Sequence, residues 1–214
     1  MCIRDSNYPE GQSEECYAPN HPQKPELGKR VVPFSRELWI EREDFMETPP
    51  KGYFRLRPDG EVRLRYGYII KCVGFDKDEA GNVTCVHAEV DLDTKSGTPG
   101  ADARKVKGNI HWLSAAHAVE AEVRMVDRLF AVPAPGSRRE GDAPDLERNF
   151  LDDLNPESKS SVRAMLEPSL AAAAPESRFQ FERHGYFVAD QKDHQADKPV
   201  YNRTVTLRDS WSKG

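Results

Sequence analysis

The sequence lacks the short motifs that mark many enzyme sites. It contains no GxGxxG loop or GxxxxGK loop to cradle phosphates, no GxSxG nucleophile turn and no HExxH metal motif. Asp and Glu are abundant but spread singly, so no acid–base pair stands out. His111 and His117 have no further metal ligands nearby in the sequence, and we interpret both as structural. We therefore predict no catalytic residue, no metal site and no bound cofactor in this chain.

Long apolar runs, a secretory leader and paired cysteines are also missing. No stretch of about 18 apolar residues exists, so we expect no transmembrane helix. The N-terminal segment MCIRDSNYPEGQ carries charge and lacks an apolar core, so secretion is not indicated. The four cysteines show no CxxC spacing, which is typical of a cytoplasmic protein with reduced thiols. Cys72 and Cys85 are predicted to face each other as small packed side chains across a hairpin that turns at residues 78–82.

The sequence does contain short strand signals at intervals of about ten residues. This pattern predicts a mainly β fold and favours antiparallel β-barrels over a βαβ sheet. A helical turn is predicted at 42–45 and a helix at 145–154, whereas residues 121–130 fit either a strand or a short helix. The predicted strands span residues 29–32, 37–40, 54–57, 61–64, 66–75, 83–92, 108–113, 162–170, 179–182, 185–189 and 203–207.

Residues 1–28 are rich in Pro, Asn, Gly and Glu and show no periodicity. We interpret them as a linker or extended arm. The opening MCIRDS looks foreign to the rest of the chain, and we exclude it from the predicted fold. We expect that the chain begins in the middle of a longer protein.

Positive charge is concentrated in residues 51–71, KGYFRLRPDGEVRLRYGYIIK. This stretch has six basic and two acidic residues in a chain whose formal net charge is −5. Pro58, Asp59 and Gly60 are turn residues between two alternating segments, and they predict a hairpin. A basic face on an acidic chain suggests a partner that is bound at one particular place.

A three-residue loop would set the register of this hairpin. Arg55 then faces Arg63, and Arg57 faces Glu61, while the apolar residues share the other face. The like-charged pair costs about 0.2–1 kcal/mol, which an anion or a guanine edge bound between the two arginines would offset. If residues 54–57 are irregular, only Arg63 and Arg65 remain on one face. An ordinary solvated strand face is the alternative to a binding site.

Aromatic residues alternate with these arginines, which favours recognition of single-stranded nucleic acid. Guanidinium groups contact phosphates and base edges, and aromatic rings stack on bases. A second grouping lies at FQFER, where Gln180 and Glu182 fall on one face of a predicted strand and the two phenylalanines on the other. A glutamine amide suits a base edge because it both donates and accepts, although an ordinary amphipathic strand fits the same pattern.

Several longer segments carry a family resemblance. In chain order they are HPQKPELGKR, ELWIEREDF, EVRLRYGYIIK, ARKVKGNIHWLSAAHA, VDRLF, NPES, EPSL, FQFERHGYF and KPVYNRTVTLRDSW. In this order they resemble the C-terminal anticodon-binding region of the glutamine–tRNA ligases. The resemblance implies two consecutive β-barrels, similar to that of ribosomal protein L25, that grip the anticodon loop. A class I catalytic domain would precede them, and neither its HIGH-like nor its KMSKS-like signature occurs here.

The resemblance also implies roles for particular residues. Arg63 and Arg65 of EVRLR would contact the first anticodon base, and Arg55 would contact the third base, a guanine. Gln180 and Arg183 of FQFER would lie at the central uracil. Four more positions are implied against the splayed loop or at a C-terminal turn beside the anticodon: Pro22, Gln23, Arg208 and Ser210.

The predicted domains are a foreign or linker segment at 1–19 and two barrel regions at 20–107 and 108–214, with strand exchange between the barrels left open. The resemblance implies tRNA-Gln and an upstream catalytic domain as partners. It also implies a monomeric, cytoplasmic parent enzyme that uses ATP with Mg²⁺ to attach glutamine to tRNA. Two alternatives remain: the barrels of a glutamate–tRNA ligase, which would differ in third-base preference, and a non-catalytic β-barrel module that binds another protein.

Overall fold

The fold is mainly β, as the spacing of strand signals predicted. The computed structural model describes residues 1–101, 104–143 and 146–207. Among these residues, none of the helices is long and apolar enough to span a membrane. The strands are β1 (Cys2–Asp5), β2 (Ser13–Pro19), β3 (Lys29–Ser35), β4 (Glu37–Ile40), β5 (Glu61–Leu64), β6 (Ile69–Lys77), β7 (Val83–Asp91), β8 (Asn109–Ile110), β9 (Trp112–Ser114), β10 (Val119–Val126), β11 (Lys159–Leu166), β12 (Arg178–Phe181), β13 (Gly185–Ala189) and β14 (Val200–Val205). Short 3-10 helices span Pro25–Leu27, Arg42–Asp44, Leu92–Thr94, Phe150–Asp153 and Pro168–Leu170.

These elements group into two compact units. The first comprises Met1–Val119 and Met165–Leu170, and the second comprises Glu120–Ala164 and Ala171–Gly214. The predicted barrel regions divide the chain differently, because residues 108–119 and 165–170 fall in the first unit.

The first unit is built on a seven-stranded sheet whose order is β8-β5-β6-β7-β1-β4-β9. Its two outermost strands are consecutive in the chain, since only His111 separates Asn109–Ile110 from Trp112–Ser114. The sheet must therefore curl until its two edges nearly meet, which is how a barrel removes exposed strand edges. Strands β2 and β3 pair with each other as a separate hairpin.

Aromatic packing fills the interior of this unit. The fully buried ring of Phe34 lies at its centre, with the rings of Tyr8, Tyr68 and Trp112 at 4.9, 5.0 and 5.5 Å from it. Edge-to-face and tilted contacts of this kind add to the free energy of burial.

The predicted hairpin between residues 54–57 and 61–64 is wrong. Strand β5 instead pairs with β6 on one side, where Arg63 faces Ile69, and with β8 on the other, where Arg63 faces Asn109. Both hydrogen-bonding edges of β5 are thus occupied, and residues 54–57 form an irregular segment in which Leu56 bridges to Phe45. The alternation within β5 is confirmed, because Val62 and Leu64 are buried on one face and Arg63 lies on the other.

Residues 1–19, interpreted from the sequence as a foreign segment or linker, form two strands in the structure. Strand β1 inserts between β7, to which it is parallel, and β4, to which it is antiparallel. Ile3 is fully buried, and β2 pairs along its whole length with β3. Small buried side chains at Cys16 and Ala18 replace the larger apolar residues that a sequence pattern would reveal.

The second unit holds a five-stranded sheet in the order β11-β10-β14-β13-β12. Its core includes Phe187 and Tyr201, with the ring of Phe181 stacked 4.3 Å from that of Phe187. The ambiguous segment at 121–130 begins as strand β10. The helix predicted at 145–154 is wrong, since only Phe150–Asp153 forms a helical turn among the described residues of that range. The four apolar residues that predicted it are exposed: Leu146, Phe150, Leu151 and Leu154.

The prediction that Cys72 and Cys85 face each other across the β6–β7 hairpin is wrong as well. Lys77 pairs with Val83 across the turn, which brings Cys85 opposite Asp76 and Cys72 opposite Ala88. Cys72 is buried, whereas Cys85 lies on the outer face of the sheet.

Candidate nucleic-acid interface

Arg63 lies on the outer face of β5 and is half-buried, because its guanidinium group binds the loop that follows β7. Its Nη1 donates to the carbonyl oxygen of Thr94 at 2.8 Å, and its Nη2 donates to that of Ala101 at 2.7 Å. The carbonyl of Gly67 in the β5–β6 turn is 3.4 Å from Nη1. These contacts tie the loop at 94–101 to the β5–β6 turn, so Arg63 shapes this surface as well as contributing its charge.

Arg65 follows β5 directly and is held through its backbone. Its N–H donates to the carbonyl of Ile110 at 3.0 Å, and its own carbonyl accepts from the Trp112 indole at 2.9 Å. Its guanidinium carbon lies 5.2 Å from the centre of the Tyr66 ring. Like Arg63, it is half-buried. The two arginines therefore present positive charge from a backbone that β8 and Trp112 make rigid.

Phe54 and Lys107 extend this basic surface with an aromatic ring. The Phe54 side chain is 56% exposed, and the Lys107 ammonium group lies 5.3 Å from its ring centre. The backbone beside Lys107 packs closely, since a Cβ at Gly108 would lie 2.7 Å from the Phe54 carbonyl oxygen. An exposed ring beside a cation offers a stacking surface for a base. The sequence pattern placed Phe54 on the apolar face of a hairpin, and only the basic run ARKVKG signalled this neighbour.

Arg55 is held away from β5 by acidic partners. Its Nη1 donates to the carbonyl of Glu43 at 3.1 Å and lies 3.4 Å from Oδ1 of the fully buried Asp44. The Glu43 carboxylate is 3.6 Å away. Arg55 can therefore offer a base only those donors that these contacts leave open, and its predicted position opposite Arg63 is wrong.

Pro22 and Gln23 are exposed in the loop that joins β2 to β3. The Gln23 N–H donates to Nδ1 of His21 at 3.1 Å, and the loop is closed by the Asn20 N–H, which donates to the carbonyl of Gly28 at 3.0 Å. The loop is thus ordered by its own hydrogen bonds, with the glutamine side chain projecting outward.

Arg30 anchors the base of this loop. Its guanidinium group donates to the carbonyl of Pro19 at 2.8 Å and makes a two-point ion pair with Glu167, with Nη2 2.8 Å from Oε1. Burial raises the pKa of Glu167, but hydrogen bonds from Arg30 and His111 outweigh it and lower that pKa to about 2. The β2–β3 hairpin is thereby fixed to the segment at Met165–Leu170, within the same unit.

Gln180 and Arg183 lie in the second unit, on and beside β12. Gln180 is exposed and pairs with Tyr186 of β13, while Phe179 and Phe181 pack inward against Tyr201. The predicted placement of Gln180 on the polar face is therefore confirmed. Arg183 is exposed in the turn to β13, with a φ of 67°.

Arg208 and Ser210 lie outside the described residues. Of the seven other candidate positions, five belong to the first unit: Pro22, Gln23, Arg55, Arg63 and Arg65. Gln180 and Arg183 belong to the second.

Comparison with known proteins identifies both units. Two family models described as tRNA synthetases class I (E and Q), anti-codon binding domain, match residues 3–91 and 109–190. Glutamine–tRNA ligases from Cupriavidus metallidurans, Ralstonia pickettii and Nitrosomonas europaea are 68%, 66% and 55% identical to this chain over 97% of its length. The aligned region makes up 34% of the first two relatives and 36% of the third, so the chain spans about a third of their length.

Proposed function

Because the chain belongs to the anticodon-binding domain family of the class I tRNA synthetases for glutamate and glutamine, we propose that it recognises the anticodon loop of tRNA-Gln. The observation that carries this proposal is the pair of family matches, which together reach from residue 3 to residue 190. The names of the relatives at 55–68% identity favour glutamine over glutamate.

The geometry supports contact with bases as well as with phosphates. The Arg65 guanidinium group lies over the Tyr66 ring, and the exposed Phe54 ring lies beside the Lys107 ammonium group. Recognition of unstacked RNA bases uses this combination of cationic groups and rings. We assign Arg63 and Arg65 to the first anticodon base and Arg55 to the third. In the second unit, the amide of Gln180 and the guanidinium group of Arg183 are assigned to the central uracil.

Four further residues belong to the proposal. We assign Pro22 and Gln23 to the splayed anticodon loop, and we also assign to the anticodon Arg208 and Ser210, which lie outside the described residues. The parent enzyme is a glutamine–tRNA ligase of the cytoplasm, which activates glutamine with ATP and Mg²⁺ in an upstream catalytic domain and transfers it to tRNA. This chain supplies specificity and none of the bond-making groups.

Filter binding to tRNAs that differ only in the anticodon tests the proposal. We expect tRNA with a CUG or UUG anticodon to bind more tightly than the same tRNA with CUC or UUC, which differ at the third base. The preference should persist across a salt series, because phosphate contacts weaken with salt while base discrimination does not. Equal affinity for all anticodons would overturn the proposal, and a reversed preference would favour the glutamate-specific alternative.

A further inference from the structure

Three neighbouring strands place metal-ligating side chains together on the outer face of the first unit's sheet. Asp76 of β6 and Cys2 of β1 lie on either side of Cys85 of β7, and each is its direct register partner. His87 is two residues beyond Cys85 and so projects from the same face of β7. The intervening Val86 is fully buried, which confirms that the two side chains point outward.

The donor atoms lie at distances suited to a shared ion. One ligand atom each from Asp76, Cys85 and His87 lies within 4.8 Å of the other two. Nε2 of His87 is 2.8 Å from Oδ2 of Asp76. Cys2 projects from the same outer face of the sheet, since the next residue in β1, Ile3, is fully buried. Cys2, the register partner of Cys85, is placed next to these three donors on the same sheet face.

From this arrangement we propose that Cys2, Cys85, His87 and Asp76 form a four-coordinate site for a thiophilic divalent metal ion such as Zn²⁺ or Co²⁺. Two thiolates, one imidazole nitrogen and one carboxylate oxygen are a donor set that selects such ions over Mg²⁺ or Ca²⁺. The site stands on the β6–β7 hairpin and β1, and it is independent of the proposed anticodon contacts.

The surrounding charges permit a cation here. Arg4 is paired with His87 in the strand register, but its guanidinium group is bound to Glu37, with Nη2 2.9 Å from the carboxylate. Lys77, beside Asp76, is 2.7 Å from the Glu47 carboxylate. Arg4 and Lys77 are therefore each matched by a carboxylate, whereas the N-terminal ammonium group of Met1, next to Cys2, donates to the carbonyl of Ile40 at 2.8 Å. Each cysteine must give its proton to the solvent when it binds, so metal binding releases protons and strengthens as the pH rises.

Titration of this chain with Co²⁺ under a phosphine reductant tests the proposal. Thiolate-to-metal charge transfer and intense visible ligand-field bands, typical of four-coordinate Co²⁺, should saturate at one equivalent, and Zn²⁺ should displace them. Cys85→Ser should reduce the charge-transfer band, the double variant Cys2→Ser/Cys85→Ser should abolish it, and His87→Gln should weaken Co²⁺ binding by about 10-fold or more. Cys2→Ser and Asp76→Asn should weaken binding as well.

Two matched controls address non-specific binding. Asp78→Asn removes a carboxylate from the adjacent turn, and His21→Gln removes a half-buried imidazole elsewhere in the unit, and both should leave the spectrum unchanged. Melting curves without metal establish that each variant is folded. The absence of thiolate bands in the unsubstituted chain, or bands of undiminished intensity in Cys85→Ser, would overturn the proposal and leave the anticodon assignment untouched.

Discussion

Arg30 and Glu167 are separated by 137 positions in the sequence and form a two-point ion pair in which Nη2 lies 2.8 Å from Oε1. The Glu167 side chain is 12% exposed, so its carboxylate has lost most of its hydration. Arg30 and His111 compensate for this loss and lower the pKa of Glu167 to about 2. Removing either partner from such a pair leaves a buried charge without its counterion.

The pKa of Glu167 predicts loss of stability in acid. A carboxyl group whose pKa is lower in the folded than in the unfolded chain stabilises the fold above the unfolded pKa, and that contribution is lost as the pH falls from about 4.5 towards 2. The contribution is on the order of 2–3 kcal/mol. Urea denaturation of Glu167→Gln should show lower stability than the original chain at pH 7 and a smaller further loss by pH 3. The exposed residue Glu79 provides the control, since Glu79→Gln should follow the original chain throughout.

At higher pH, Asp5 should make the stability of the fold change with pH in the opposite direction. Burial raises its pKa to about 6, although backbone N–H groups of Asn7 and Val90 oppose the shift, and its Oδ2 accepts no hydrogen bond from any residue in the described ranges. Because the folded chain binds this proton more tightly, stability should rise as the pH falls from about 7 to about 4, by on the order of 2–3 kcal/mol. Asp5→Asn should remove the rise without removing the loss attributed to Glu167. A rise of the same size in the variant would contradict the assignment to Asp5.

We expect substitution of Arg63 to destabilise the fold, apart from any effect on RNA binding. Arg63→Ala removes the donors to Thr94 and Ala101, so the free energy of unfolding should fall by about 1–3 kcal/mol. Hydrogen exchange should accelerate at the amides of Ser96, which donates to Gly67, and of Ala101, which donates to Thr98, because both lie in the loop that Arg63 holds. Arg57→Ala, at an exposed position whose guanidinium group donates to the carbonyl of Pro58, should leave exchange at these amides unchanged.

Arg65 offers a test of anticodon binding that depends less on loop structure. We expect both Arg63→Ala and Arg65→Ala to weaken binding of tRNA with a CUG anticodon by about 1–3 kcal/mol, and the discrimination among first bases to fall with it. Filter binding against Arg138→Ala, in an exposed loop of the second unit, provides the comparison. Losses no larger than that of Arg138→Ala would count against both assignments.

Gln180 should affect the central base alone. Gln180→Ala should reduce the preference for uracil at that position by about 1–3 kcal/mol while leaving the salt dependence of binding unchanged, because an amide releases no counterion. Gln191, exposed in the loop after β13, is a matched control in the same unit. Equal loss of preference in Gln191→Ala would sink the assignment.

Local patterns predicted much of the fold. The strands at Glu37–Ile40 and Gly185–Ala189 were predicted with their observed bounds, and the alternation of β5 gave the correct inner and outer faces. Pairing between distant strands could not be predicted from local patterns. Strand β5 pairs with β8, which lies more than forty residues downstream, and residues 54–57 therefore do not pair with β5. Strand β1 was missed because a polar residue, Asp5, occupies a core position.

The candidate site was predictable in composition but less so in geometry. The arginines of EVRLR and the outward position of Gln180 followed from alternation together with the family resemblance. The anchoring of Arg63 to Thr94 and of Arg55 to Asp44 depends on loops whose course no periodic pattern specifies. The Phe54–Lys107 pair was missed for the same reason, since its partners come from separate irregular segments.

The position of β8 and β9 also bears on how the chain folds during synthesis. The six-residue segment from Asn109 to Ser114 covers both edges of the seven-stranded sheet, so β4 and β5 keep an open edge until this segment leaves the ribosome. Strand β1 also cannot complete its pairing until much later in synthesis, because Ser6 next to it hydrogen-bonds to Ala88, 82 positions later. Contacts this distant slow folding and expose strand edges in the nascent chain. The first unit should therefore expose strand edges until Ser114 has been synthesised.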